Sequence, residues 1–419
     1  MMNFRLTAII LSAAFCTAVS AQQLPRAEIA PQPACVHLDK AGLHFPGSRE
    51  AQDRFYALID SLSFGSGRNV NIWHVGGSHV QAGHFSYRLQ ERFTSMRDSL
   101  KGERGFIFPY RIAKTNSDKS FRTSYTGEWL SAMAASTHKD LNPRFGIMGI
   151  AAQTSDSLAT VGIGLNISAD TLWQFNRLRV MGYASSPEVR PYLVCGADTL
   201  DVFTMDEATQ SYMFDLPSVT DSVVIGFHIP EGENFTLTGT EPVSGRRGIS
   251  YYCSGVNGAR LTTWLDDCPD LPRDLQIVRP DLAIFAVGIN DSACKAVDFK
   301  VERFKDNYRR LISLIRGLSP DCAFIFITNN DSYRYISRGM TYNHNAPTVQ
   351  KAMFELAEEY GAAVWDVYDI MGGKDSVIKW RDAGLVKSDR LHFTPEGYVL
   401  LGDLLYNAIV EDYNDNHMQ

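Results

Sequence analysis

The chain has 419 residues, enough for two or three domains that each have a core. Hydrophobic residues make up 45% and charged residues 21%, an average globular composition that excludes a disordered, collagen-like or coiled-coil chain. The 40 Lys and Arg residues are outnumbered by 47 Asp and Glu, which gives a formal net charge of -7. A nucleic-acid-binding protein concentrates basic charge, so no nucleic acid partner is expected.

The first 21 residues have the pattern of a cleavable signal peptide. An apolar run over residues 6–19 ends in Val19-Ser20-Ala21, a small-residue cleavage pattern. Cys16 raises lipid attachment as an alternative, but the bulky Phe15 before it disfavours lipidation. The run is shorter than the roughly 18 apolar residues of a membrane span, and no later stretch reaches that length. We expect an exported chain, periplasmic or secreted, with no integral membrane span.

The predicted elements that follow alternate between strands and helices in two separate parts of the chain. Residues 22–46 contain four prolines and are predicted to form an extended lead-in. In the first part, apolar spacing and β-rich runs predict a helix over 49–62, a strand over 69–75 and a helix over 87–96. In the second part, they predict strands over 281–287, 322–328 and 362–367 and helices over 301–318, 349–360 and 395–413. This alternation predicts a parallel sheet covered by helices on both faces.

The region between these two parts has a different character. Short β-prone runs such as 178–181, 223–228 and 235–240 are separated by Gly, Pro, Asn and Asp turns, and no convincing helix interrupts them. Residues 155–250 are therefore predicted to form an all-β, sandwich-like module. It would be inserted into the α/β domain, whose two parts are 47–154 and 251–413, with 414–419 as a tail.

Cysteine and histidine positions give no support for a metal site. The six cysteines after residue 21 lack C-x-x-C spacing, and both disulfides and buried free thiols stay open for them. His74, His79 and His84 are five residues apart, so a helix would not place them on one face. We expect neither a metal nor a cofactor.

Four short segments carry residues suited to catalysis, and three of them follow a predicted strand directly. They are Gly76-Gly77-Ser78-His79, Gly255-Val256-Asn257-Gly258, Gly288-Ile289-Asn290-Asp291 and, before the last helix, Asp389-Arg390-Leu391-His392. Loops at the carboxyl ends of parallel strands meet at one edge of the sheet, where ligands bind. The four segments are therefore expected to lie close together.

In this order the four segments resemble the blocks of the SGNH hydrolases, also called the GDSL esterase and lipase family. The resemblance implies a flavodoxin-like, three-layer α/β/α fold and no cofactor. It makes Ser78 the nucleophile and Asp389 and His392 the other members of a catalytic triad. It also implies an oxyanion hole formed by the backbone N–H groups of Ser78 and Gly258 and the side-chain amide of Asn290.

The chemistry of these residue types agrees with those roles. A serine hydroxyl is a weak nucleophile and needs a base such as His392 within hydrogen-bond reach. Asp389, three residues earlier, can hold the other imidazole nitrogen. The first block departs from the family pattern, because Gly77 stands where the family has an aspartate. That change leaves open a slower enzyme, a different substrate or a retired active site.

The layout also resembles exported bacterial SGNH proteins that remove or transfer O-acetyl groups on peptidoglycan, in which a β-sandwich module separates the first and second blocks. We therefore expect a carbohydrate O-acetylesterase acting on peptidoglycan or another acetylated polysaccharide. Two alternatives stay open: an O-acetyltransferase with the same triad, and a catalytically degenerate glycan-binding protein. The sequence does not indicate an oligomeric state.

Several aromatic residues admit both a structural and a functional interpretation. The stretch Gly105–Tyr110, which leads to Lys114-Thr115-Asn116, suits core packing under a loop or a wall of the substrate cleft. Trp173, Tyr183 and Tyr192 suit the core of the β module or the stacking of sugar rings.

Overall fold

The computed structural model describes residues 23–97, 100–116, 120–137, 139, 141–165 and 173–417. The predicted signal peptide lies outside these residues. Within them, no helix is both long enough and apolar enough to cross a membrane.

The described residues form α-helices and β-strands in both parts of the chain. The α-helices are α1 Glu50–Ser63, α2 Ser78–Gln81, α3 His84–Ser95, α4 Leu261–Asp266, α5 Leu271–Val278, α6 Val301–Leu318, α7 Ala346–Tyr360, α8 Val367–Met371, α9 Ser376–Asp382 and α10 Pro395–Asp412. The strands are β1 Leu43–His44, β2 Val70–Gly76, β3 Arg122–Thr126, β4 Leu130–Met133, β5 Ile150–Thr154, β6 Thr160–Gly164, β7 Phe175–Ala184, β8 Arg190–Cys195, β9 Asp198–Leu200, β10 Thr204–Asp206, β11 Ser211–Thr220, β12 Ser222–His228, β13 Phe235–Val243, β14 Ile249–Gly255, β15 Leu282–Ala286, β16 Ala323–Ile327, β17 Tyr333–Ile336, β18 Gly339–Tyr342 and β19 Ala363–Trp365.

A six-stranded sheet in the order β1-β19-β16-β15-β2-β14 forms the centre of the α/β part. Its strands pair in parallel except for the short edge strand β1. Side chains of alternating residues point to opposite faces of the sheet. Ile72 and Ile284 pack in one core with α1, α3 and α10, while Trp73 and Phe285 pack in another with α5, α6 and α7. The predicted SGNH-type α/β sheet, covered on both faces, is therefore confirmed.

Two antiparallel sheets form a sandwich between β2 and β14 in the chain. Their strand orders are β10-β11-β7-β13-β5-β4 and β3-β6-β12-β8-β9. The sheets pack face to face through aromatic contacts such as Phe227 against Phe235, whose ring centroids are 4.8 Å apart. Although β2 and β14 flank the whole sandwich in sequence, they are neighbours in the central sheet.

The strands of the sandwich run from Arg122 to Val243, whereas sequence patterning placed the β module at 155–250. Strands β3, β4 and β5 thus lie within residues 47–154, which the sequence pattern assigns to the α/β domain. β14, from Ile249, belongs to the central sheet instead. β3 has one buried residue and is otherwise exposed, so it lacks the apolar alternation that marks a strand in sequence.

The two ends of the described chain lie together. The lead-in is extended and lies along α10 and the turn after it. The backbone N–H of Ala27 donates to Asn407 Oδ1 of α10 at 2.7 Å. The backbone N–H of Leu24 donates to Asn414 Oδ1 of the turn at 2.9 Å. Residues Tyr413–His417 form a π-helical turn after α10, and the His417 ring contacts Asp60 Oδ2 at 2.7 Å.

Candidate active site

The sheet register brings three of the four segments to one edge. Gly76, the last residue of β2, is paired with Gly255 at the end of β14 and with Ala286 at the end of β15. The loops that follow these strands therefore start at the same level. They carry Ser78, Gly258 and Asn290.

Ser78, His392 and Asp389 form a continuous chain of hydrogen bonds. The Ser78 Oγ lies 2.8 Å from His392 Nε2, and His392 Nδ1 lies 2.7 Å from Asp389 Oδ2. Ser78 is the first residue of the short helix α2, directly after β2. The two ring nitrogens of His392 thus face a hydroxyl group and a carboxylate, the same order of groups as in a Ser-His-Asp triad.

The loop before α10 is folded so that Asp389 reaches back to His392. The other carboxylate oxygen, Oδ1, accepts the backbone N–H groups of Leu391 and His392, both at 3.0 Å. Arg390, directly after Asp389, has φ +54°, a left-handed conformation that a non-glycine residue adopts at some cost. The hairpin β17–β18 supports this turn, since the Tyr333 N–H donates to the Arg390 carbonyl at 2.9 Å.

The electrostatics of this loop keep Asp389 ionised. Partial burial alone would raise the pKa of the Asp389 carboxyl, but hydrogen bonds from the His392 backbone, the His392 ring and the Leu391 backbone outweigh it. The net effect lowers the pKa of Asp389 below its ordinary value. Asp389 is therefore a carboxylate at neutral pH, able to hold the imidazole in one orientation.

The predicted oxyanion-hole residues Gly258 and Asn290 lie beside Ser78 in the lining of one cleft. The side-chain amide of Asn290 donates to the Ala259 carbonyl at 3.0 Å, one residue beyond Gly258. Asn290 also packs on Gly77, because a Cβ added to Gly77 would lie 3.1 Å from Asn290 Nδ2. The absence of a side chain at Gly77 therefore lets the amide of Asn290 approach the loop before Ser78 closely.

A cleft of about 620 Å³ opens above these residues. Its lining includes Ser78, Asn116, Asn257, Gly258, Asn290, Tyr335, Lys387 and His392. Amide, hydroxyl and ammonium groups predominate among its polar groups, and none of the described lining residues is Asp or Glu. A larger groove of about 820 Å³ on the five-stranded sheet shares no lining residue with this cleft.

Sequence reasoning missed the role of a buried glutamine behind the cleft. Gln81, the last residue of α2, is only 3% exposed and hydrogen-bonds to Thr115, Asn116 and Asn257. Thr115, Asn116 and Asn257 lie in segments that stand out in the sequence. Their contact with Gln81 depends on three distant segments meeting, which no local pattern reveals.

His74 and His79 are held by hydrogen bonds, whereas His84 lines the cleft. His74 is buried and His79 is half-buried, and desolvation lowers the pKa of each to about 3, with the charge of His392 adding to the effect on His79. Each bonds to a tyrosine hydroxyl: His74 Nδ1 lies 2.9 Å from that of Tyr251, and His79 Nδ1 lies 2.7 Å from that of Tyr398. The described residues contain no cluster of three His, Cys, Asp or Glu suited to a metal ion.

The structure places the six cysteines and the aromatic residues for which the sequence left alternatives open. Cys35, Cys195, Cys253, Cys268, Cys294 and Cys322 are all free thiols. Phe106, Ile107 and Phe108 are buried in the core, so the aromatic stretch packs under the loop. Among the described residues 105–116, Asn116 is the one that lines the cleft. Trp173, Tyr183 and Tyr192 are not among the residues that line the cleft.

Comparisons with known proteins show which family and which solved structures this chain is similar to. Residues 221–400 match the model of the GDSL-like lipase/acylhydrolase family, a range that includes Gly258, Asn290, Asp389 and His392 but not Ser78. A structure of a peptidoglycan O-acetylesterase is similar over 88% of this chain and 98% of its own, with 20% identity and a TM-score of 0.71. An acetyl xylan esterase matches 38% of this chain and 80% of its own at 17% identity, with a TM-score of 0.31. A family two carbohydrate esterase from Cellvibrio japonicus matches 69% of this chain and 99% of its own at 11% identity, with a TM-score of 0.28. The search of curated proteins gave no match.

Residues 221–400 are thus similar to the GDSL-like lipase/acylhydrolase family. The whole fold, with the sandwich between β2 and β14, is similar to that of the peptidoglycan O-acetylesterase structure.

Proposed function

We propose that this chain is an esterase that removes O-acetyl groups from a carbohydrate polymer through an acyl-enzyme on Ser78. One observation carries the proposal: the hydrogen-bonded chain from Ser78 through His392 to Asp389, which lies at a cleft whose lining includes both polar and apolar side chains. In this proposal Ser78, His392 and Asp389 are the catalytic residues.

In the first half of the reaction, Ser78 Oγ attacks the carbonyl carbon of the acetyl ester while its proton passes to His392 Nε2. Asp389 stabilises the imidazolium through Nδ1. The backbone N–H groups of Ser78 and Gly258 and the side-chain amide of Asn290 stabilise the negative charge on the carbonyl oxygen. The bond to the sugar oxygen then breaks, and His392 gives that oxygen its proton.

In the second half, His392 removes a proton from a water molecule, whose oxygen attacks the acetyl carbon. The bond to Ser78 Oγ breaks, His392 returns the proton to Ser78, and acetate leaves. If a sugar hydroxyl takes the place of water, the same steps transfer the acetyl group to that sugar. The open cleft admits either acceptor, so acetyl transfer is the second candidate function.

The cleft supports a sugar polymer as the substrate, and an anionic one in particular. The lining includes the side-chain amides of Asn116 and Asn257, a type of group that pairs with sugar hydroxyls, and Lys387 adds a positive charge without a carboxylate among the described lining residues. Peptidoglycan carries carboxylates on its peptides, whereas an acetylated xylan backbone is neutral. The structural neighbour described as a peptidoglycan O-acetylesterase supports the same choice.

Domain organisation and location are also part of what we propose. The sandwich is a separate module inserted into the hydrolase domain, and the protein acts outside the cytoplasm, periplasmic or secreted. The location rests on the pattern of residues 1–21, which lie outside the described part of the chain.

The proposal is tested by measuring acetate release from O-acetylated peptidoglycan and from acetylated xylan. The measurement compares wild type with Ser78→Ala and with the control Ser124→Ala. Ser124 lies on β3, outside the cleft lining. We expect faster release from peptidoglycan, loss of release in Ser78→Ala and full activity in Ser124→Ala. Equal release by wild type and Ser78→Ala would overturn the proposal, and a faster reaction on xylan would change the substrate.

A further inference from the structure

The N–H group of Gly258 lies on the middle peptide of a tight turn. The Ala259 N–H donates to the Val256 carbonyl at 3.0 Å, and Gly258 has φ +79° while Asn257 has an ordinary negative φ. These are the features of a type II turn. A type I turn differs from it by a flip of the middle peptide, which would point the Gly258 N–H the other way. The direction of this donor therefore depends on what holds the turn.

Three hydrogen bonds hold Asn257, the residue before Gly258. Its backbone N–H donates to Gln81 Oε1 at 2.6 Å. Its side-chain amide donates to Asn116 Oδ1 at 2.7 Å and to Thr115 Oγ1 at 3.1 Å. With both the backbone and the side chain of Asn257 fixed, the following peptide has little freedom to flip.

Gln81 connects this turn to the helix that carries the nucleophile. Its Nε2 donates to Thr115 Oγ1 at 2.9 Å and to the Asn116 carbonyl at 3.1 Å, so both ends of the buried amide are occupied. Its backbone packs directly on Gly255, where an added Cβ would lie 2.3 Å from Gln81 N. Since Ser78 and Gln81 are the two ends of α2, the spacing between the Ser78 and Gly258 N–H groups is set through one short, rigid element.

We propose that Gln81 is a positioning residue that orients the Gly258 N–H for the oxyanion hole, acting through Asn257. This inference rests on the proposed function. The hydrogen bond between Gln81 and Asn257 also connects α2 to the segment Gly255–Gly258, in a chain that has Gly77 where the family has a carboxylate. Gln81 itself does not line the cleft, so its effect is on the geometry of the donor and not on substrate contacts.

An oriented donor acts in the transition state, when charge develops on the carbonyl oxygen, and contributes little to binding of the ground state. Removal of a whole donor typically costs about 10² to 10³ in rate, so misorientation of one donor should cost about 10- to 100-fold. A role in folding alone would instead lower the unfolding temperature without selectively weakening binding of a tetrahedral adduct.

The test is Gln81→Met, which keeps the side-chain volume and removes both hydrogen-bonding ends. The matched control is Gln52→Met, since Gln52 is a buried glutamine on α1 whose amide has no hydrogen-bond partner among the described residues. Hydrolysis of p-nitrophenyl acetate and inhibition by a boronic acid, which forms a tetrahedral adduct with serine, are measured for both. We expect kcat to fall about 10- to 100-fold with KM nearly unchanged in Gln81→Met, and the boronic acid Ki to rise by a similar factor. Gln52→Met should match wild type in both.

Thr115→Val provides a second variant, in case Gln81→Met does not fold, because it removes the hydroxyl that both Gln81 and Asn257 contact. It should lower kcat in the same direction by a smaller factor. Full kcat in a folded variant, or loss of kcat with an unchanged boronic acid Ki, would overturn the inference. Ser78→Ala is measured alongside: if it keeps full activity, the proposed function fails, whereas an inactive Ser78→Ala with a fully active Gln81→Met overturns this inference alone.

Discussion

At the scale of single residues, Asp389 owes its low pKa to groups of its own loop. Two backbone N–H groups and the His392 ring stabilise its charged form. Because the folded-state pKa is depressed, Asp389 contributes stability above its unfolded pKa, near 3.9, and this contribution is lost as the pH falls through the folded value. The same contacts set the orientation of the imidazole for catalysis.

Asp389→Asn should therefore abolish most of the activity. An amide would favour the wrong imidazole tautomer, and the equivalent change in a serine protease triad costs about 10⁴ in kcat. We expect a loss of about 10³ to 10⁴ in kcat for p-nitrophenyl acetate, with KM little changed. The exposed Asp382→Asn is the control. A loss below about tenfold would mean that Asp389 does not orient His392 during turnover.

Gly77 gives a second prediction at this scale, because a return to the family aspartate should harm this enzyme. A Cβ at residue 77 would lie 3.1 Å from Asn290 Nδ2 and would push that amide from its place. Since misplacement of about 1 Å can cost 10²-fold, we expect Gly77→Asp to lower kcat about tenfold. Gly42→Asp, where a Cβ meets open space, should leave kcat unchanged. A higher kcat in Gly77→Asp would contradict this account.

The sequence was sufficient to propose Ser78, Gly258, Asn290, Asp389 and His392, because the four segments that contain them resemble the blocks of a known family in the same order. The structure brings these five together at one sheet edge, and their roles remain predictions. Gln81 could not be predicted in the same way. Its partners are separated from it by the sandwich or by a long loop, and a glutamine at the end of a short helix has no distinguishing pattern.

At the scale of elements, the long helices could be predicted because their apolar residues recur at helical spacing. The central strands could be predicted because they are short, almost continuous apolar runs. The helix predicted over 301–318 has those bounds, and the strand predicted over 281–287 is Leu282–Ala286. Short elements were missed. Helices α4, α5 and α9 have six to eight residues, too few turns for the helical period to be recognised in sequence.

The last helix gives a prediction at this scale. Thr394 caps α10, since its hydroxyl oxygen accepts the Gly397 N–H at 3.2 Å. Loss of such a cap typically costs about 1 kcal/mol. We expect Thr394→Ala to lower the free energy of unfolding by about that amount in urea denaturation, while Thr394→Ser keeps the cap and stays close to wild type. Equal stability of Thr394→Ala and wild type would show that the cap contributes nothing.

At the scale of the whole molecule, the sandwich and the α/β part share a continuous hydrophobic core. Trp73 and Phe285 of the central sheet belong to the same buried cluster as Phe175 and Phe235 of the sandwich. Polar contacts also join the parts, for example the Tyr252 hydroxyl, which donates to Glu241 at 3.0 Å. The sequence indicated an inserted β module but not this shared core. The core is formed by residues that are far apart in the chain, and no local pattern shows which of them meet.

We expect the two parts to unfold together. Differential scanning calorimetry of the full chain should give one transition, with a calorimetric enthalpy equal to the van't Hoff enthalpy. Two separated transitions would mean that the shared core does not couple the sandwich to the α/β part.

The central claim, a covalent acetyl-enzyme on Ser78, is tested most directly by mass spectrometry of the protein quenched during turnover of p-nitrophenyl acetate. The account predicts one added acetyl group, located on the peptide that contains Ser78 and absent from Ser78→Ala. An acetyl group on another residue, or acetate release by Ser78→Ala at the wild-type rate, would contradict it.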